Sequence, residues 1–109
     1  MPRDYKAYLD DILQAIARIR RATCGVTYDE FAANEEKTDA VVRNLQVIGE
    51  AAKKIPDAIR SAHPEVEWKR IAGLRDIVVH DYFGIDLEVI WDVVRSKLPE
   101  LDENIRRLL

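Results

Sequence analysis

The sequence predicts an all-α fold, an up-and-down bundle of four to five helices, and three observations carry that expectation. Apolar residues recur at three- and four-residue spacing along most of the chain. Only four glycines and four prolines interrupt its 109 residues, and no stretch alternates as a strand would. The length suits one domain with one core, taken as residues 1–109. Hydrophobic residues at 48% and charged residues at 34% fit a globular, helix-rich chain rather than a disordered one.

The first helix is expected from about Asp4 to Arg20, where Tyr5, Leu9, Ile12, Leu13, Ile16 and Ile19 build one apolar face. "TCGV" interrupts it. "TYDE" then has the form of a capping box, with Thr27 as the cap of a short second helix and Glu30 reaching back. From about Glu36 to Lys54, the positions Val41, Leu45, Ile48 and Ala52 mark a long third helix in which Gly49 allows a neighbour to come close. Pro56 ends it. Pro64 suits the first turn of a fourth helix, which Gly73 weakens by roughly 1 kcal/mol relative to alanine. "YFGID" supplies a turn, and Asp86 caps a last helix through Leu87, Ile90, Trp91, Val94 and Leu98, which Pro99 kinks or divides.

Cys24 is the sole cysteine, so an intrachain disulfide and a cysteine-based zinc site are both excluded, and a cytoplasmic setting is expected. No apolar run approaches the roughly 18 residues of a membrane span, so no membrane partner is expected. The formal net charge is −3, yet Lys53 to Arg75 holds six basic residues against three acidic ones. A basic segment there can guide a polyanion, with Lys69 and Arg70 as RNA-binding candidates, although solvated helix faces would look the same.

That segment leads into "RDIVVHDY", residues 75 to 82. With Ile71 set at zero on a regular helix, Leu74, Val78 and Tyr82 lie within about 60° of it and Arg75 at about 40°. Arg75 therefore falls within an apolar arc, where an unpaired guanidinium costs several kcal/mol, roughly, so something negative should stand beside it. Asp76 and His80, near 140° and 180°, share the other side four residues apart and are within reach of a hydrogen bond. Arg75 and His80 diverge by about 140°, so their convergence on one ligand needs a distorted helix or a second copy of the chain.

The side chains make a recognisable kit. His80 can give or take a proton near neutral pH, Asp76 can fix its tautomer, and Arg75 can hold a phosphate. With RNA, whose 2′-hydroxyl is a built-in nucleophile, such a kit suffices for phosphodiester cleavage. The plain alternative is a structural salt bridge and a satisfied polar residue.

The pattern R-x-x-x-x-H-x-Y, here Arg75, His80 and Tyr82, resembles the signature of HEPN-domain proteins, and more narrowly of their HepT branch. "AVVRNLQVIGEAAKKIP", "HPEVEWKRIAGLRDIVVHDYFGID" and "VIWDVVRSKLPEL" fall in that family's order and spacing. The resemblance implies a helical bundle that forms a homodimer through the motif helix. It also implies a metal-independent endoribonuclease, acting without a cofactor as the toxin of a toxin–antitoxin pair on tRNA or mRNA. The implied antitoxin is an MntA-like minimal nucleotidyltransferase that transfers AMP to the motif tyrosine. By position, Arg75 and His80 would be catalytic, Asp76 would fill the polar position after the arginine, and Tyr82 would be the modified residue. AMP on Tyr82 would set a bulky anion two residues from His80 and block RNA by volume and repulsion.

Other residues carry less. His63 is expected at a helix start, Trp68 and Trp91 as core or dimer anchors, and Cys24 in a loop without a base beside it. Glu50 reads either as a solvated residue or as a partner for Arg75. Two competing functions stand beside the ribonuclease: a non-catalytic nucleotide- or substrate-binding subunit of a nucleotidyltransferase, and a purely structural dimerisation domain.

Overall fold

Asp4 opens α1 (Tyr5–Thr23) by accepting a hydrogen bond from the Lys6 backbone N–H, and the apolar stripe buries Leu9, Ile12, Leu13, Ile16 and Ile19 as its spacing requires. The computed structural model describes residues 3–80 and 86–109, with the side chains of 77–80 excepted. After α1, Gly25 turns the chain at a φ of 70°, a conformation that glycine adopts without steric cost. The capping box then forms as expected: the Thr27 hydroxyl accepts from the Glu30 N–H and the Glu30 carboxylate accepts from the Thr27 N–H, at the head of α2 (Tyr28–Ala33). Thr27→Ala should therefore lower stability by about 1 kcal/mol, measured by chemical denaturation.

Asn34 caps α3 (Glu35–Lys53), which buries Val41, Leu45, Ile48 and Ala52. Two contacts fix its direction. Lys37, at its start, donates from Nζ to the Ala22 carbonyl at the end of α1, whereas Lys54, just past its end, lies over the ring of Tyr8 near the start of α1. The two helices thus run antiparallel, and the apolar faces between them form the centre of the core.

Next comes α4 (Asp57–Ala62), a helix the sequence reading does not anticipate. It buries no residue, so no apolar spacing marks it. Pro64 does not open the following helix, contrary to expectation, and His63 stands at the end of α4 rather than at a helix start. Its φ of −130° and ψ of 65° lie outside the α region, which the ring of a following proline disfavours. A turn then leads to α5 (Trp68–His80), whose first residue is the anchor: Trp68 is buried, and its Nε1 donates to the His63 carbonyl at 3.0 Å.

Asp86 caps α6 (Leu87–Asp92) by accepting from the N–H groups of Glu88 and Val89. A π-helical segment, Val93–Lys97, then joins α6 to α7 (Leu98–Leu108) without a break. Pro99 sits in the first turn of α7, where its missing N–H would otherwise bond back into the π segment. Ile90, Val94 and Leu98 are all buried at a spacing of four and four, an arc of about 80° on a regular helix.

This last helical stretch closes the bundle from two ends. Trp91 packs on Phe31 of α2 with ring centroids 4.9 Å apart, and the largely buried Asp102 accepts from Arg106 at 2.9 Å and lies 3.7 Å from Arg20 of α1. Both tryptophans serve the core. Among the described residues the secondary structure is entirely helical, and no helix is long and apolar enough to cross a membrane.

Candidate active site

Helix α5 is brought to α3 at one glycine. A Cβ built on Gly49 would stand 2.9 Å from the Arg75 backbone nitrogen, 3.1 Å from the Arg75 Cβ and 3.2 Å from the Ala72 carbonyl oxygen. Only a residue with no side chain lets the two helices approach this closely. The next residue, Glu50, is then carried beside that line of contact, and its carboxylate takes Nε of Arg75 at 2.5 Å. The sequence requirement for a negative partner is met from a neighbouring helix, by one of the two roles left open for Glu50.

The pair is not sealed. Both side chains are 44% exposed, so the ion pair belongs to the class worth at most about 1 kcal/mol. That balance suits a binding group. Glu50 holds the guanidinium in one orientation, while the low strength of the pair lets a phosphate compete for it with bidentate geometry.

The remaining sequence candidates divide by helix face. Asp76 is exposed, one position beyond Arg75. Lys69 and Arg70 are exposed in the first turn of α5, with Arg70 lying 3.5 Å from Glu67. His80 is the last residue of α5, and its side chain lies outside the described residues, as does Tyr82. The Asp76–His80 hydrogen bond therefore also falls outside them. Because Arg75 turns toward α3, a residue five positions on along a regular helix points about 140° away from that side. The expected divergence of Arg75 and His80 thus also lies outside the described residues.

Two grooves flank this helix. One, of about 360 Å³, is mainly apolar and lies between α5 and the C-terminal stretch, lined by Ile71, Gly73, Leu74, Leu98 and Leu101. The other, of about 290 Å³, lies between α1 and α3, is rimmed by charged side chains, and has Glu50 in its wall.

The family model described as Ribonuclease HepT-like matches residues 12–108. A protein of Thermococcus cleftensis named as a probable ribonuclease HepT is 38% identical over 108 residues, covering 99% of this chain and 98% of its own. A candidate RNase of Methanocaldococcus jannaschii is 42% identical over 110 residues, covering 100% of this chain and 91% of its own. Another, from Caldanaerobacter subterraneus, is 36% identical over 104 residues, covering 95% and 93%. No solved structure matches the chain. The chain belongs to the HepT-like ribonuclease family.

Proposed function

We propose that this member of a ribonuclease family is a metal-independent endoribonuclease, a single HepT-like domain over residues 1–109 that acts as a homodimer. The observation that carries the reading is Arg75, held half-exposed by Glu50 on the helix that also bears Asp76 and His80. In the proposed reaction the ribose 2′-oxygen attacks the adjacent phosphorus and the bond from phosphorus to the 5′-oxygen breaks. One histidine accepts the 2′-hydroxyl proton and another donates a proton to the departing 5′-oxygen. Arg75 stabilises the charge on the crowded phosphate, and Asp76 fixes the tautomer of His80. The products are a 2′,3′-cyclic phosphate and a 5′-hydroxyl.

The divergence expected of Arg75 and His80 on a regular helix favours the homodimer reading, since two copies of α5 side by side can supply both groups to one linkage. As a toxin, such an enzyme needs an off switch. Tyr82, two residues beyond His80, is the acceptor for AMP from an MntA-like nucleotidyltransferase in this reading, and the added anion repels the RNA backbone.

The test is incubation of the purified protein with tRNA and mRNA in the presence and absence of EDTA. Cleavage that persists in EDTA and leaves 2′,3′-cyclic phosphate ends is the expected result. Loss of cleavage in EDTA would overturn the metal-independent mechanism. Binding of ATP or of a nucleotidyltransferase, with no scission of any RNA, would instead establish the non-catalytic subunit.

A further inference from the structure

The groove between α1 and α3 carries Arg3, Tyr8, Asp11, Arg43, Glu50 and Lys54 in its walls. Its two carboxylates are already engaged. Asp11 accepts from the Arg3 guanidinium at 2.8 and 3.4 Å, and Glu50 forms an ion pair with Arg75 at 2.5 Å. Among the described residues, Arg43 and Lys54 have no carboxylate partner, and both are exposed. The groove is therefore locally positive in a chain whose formal net charge is −3. Its floor includes the half-buried Tyr8, with Cζ of Arg3 at 4.6 Å and Nζ of Lys54 at 5.7 Å from the ring centroid.

Cations clustered around a fixed aromatic ring are the pattern that holds single-stranded nucleic acid, through phosphate contacts and base stacking that tolerate any sequence. A groove of about 290 Å³ is at the small end of ligand cavities and suits a nucleotide unit rather than a folded partner. Its position gives the direction. Glu50 lines the groove and also touches Arg75, so a strand lying there leads to the guanidinium of the motif.

Resting on the ribonuclease reading, we propose that this groove binds the single-stranded RNA segment beside the cleaved linkage, with Arg43 and Lys54 each holding a phosphate and Tyr8 offering its ring to a base. The groove adds affinity without base-edge readout, so it should bind RNA of mixed sequence about equally.

The experiment measures binding of a fluorescein-labelled single-stranded RNA to the full chain carrying His80→Ala, across a salt series, alone and with Arg43→Ala/Lys54→Ala. The double substitution should weaken binding by about tenfold and make the slope of log affinity against log salt shallower by about 1.4, or 0.7 for each single-strand phosphate contact. Arg21→Ala/Arg107→Ala removes the same charge from exposed positions at the far end of α1 and on α7, and should leave the slope unchanged. Circular dichroism confirms that both double variants remain folded. Equal effects from the two pairs, or an unchanged slope for Arg43→Ala/Lys54→Ala in a protein whose wild type cleaves RNA, would overturn the groove alone. Absence of cleavage of any RNA by the wild type would overturn the ribonuclease reading and the groove with it.

Discussion

The His80→Ala protein should lose roughly 10²- to 10⁴-fold in the rate of RNA cleavage while keeping its helical spectrum and thermal midpoint. The size follows from what the substitution removes. An imidazole titrates near neutral pH, so in the proposed dimer it would supply either the base for the 2′-hydroxyl or the acid for the departing oxygen. Alanine supplies neither, and it is an excellent helix former at the end of α5, so the fold has no reason to suffer. Timed gel assays on RNA, beside a melting curve, read the two properties separately. Undiminished cleavage would remove His80 from the mechanism.

Gly49→Val should destabilise the protein by about 1–3 kcal/mol, or more, and take cleavage down with it. Even the first carbon of a side chain would meet the Arg75 nitrogen at 2.9 Å, and that atom is backbone, which cannot swing aside. Helices α3 and α5 would have to separate, drawing Arg75 from Glu50. Gly73 provides the contrast, because a Cβ there meets nothing within 4 Å. Gly73→Ala should gain up to about 1 kcal/mol from helix propensity alone. A loss at Gly73 would mean that another surface reaches it, as a second copy docked on α5 would. Urea denaturation of the three proteins, monitored by circular dichroism, ranks them.

The same contrast shows what the sequence discloses. Long amphipathic helices and their caps, such as the Thr27–Glu30 box and Asp86, are local features, and local features are written in the residue order. The short helix α4 escapes because it buries nothing, and the start of α5 at Trp68 rather than Pro64 escapes because the indole bond to His63, five residues back, follows no helix-cap pattern. The π-helical segment left no trace, since the four-and-four spacing of Ile90, Val94 and Leu98 is equally that of a regular helix, as Val41, Leu45 and Gly49 show in α3. At the site, the demand of Arg75 for a negative partner was legible from its place in an apolar arc. The identity of that partner was legible only as one of the options open to Glu50, since Glu50 lies 25 positions earlier and only the packing at Gly49 brings it near. The groove around Tyr8 was invisible for the same reason: Tyr8 and Lys54 come from opposite ends of an antiparallel pair.

The wide turn at Val93–Lys97 also sets a rotational phase. Deleting one residue there can close the wide turn to an ordinary α turn with the phase kept, but inserting one would spin everything beyond by about 100°. Leu101 and Ile105 would swing out of the core, and Asp102 would part from Arg20, with none of the three altered. Single-residue insertions in this segment should therefore be far less tolerated than single deletions.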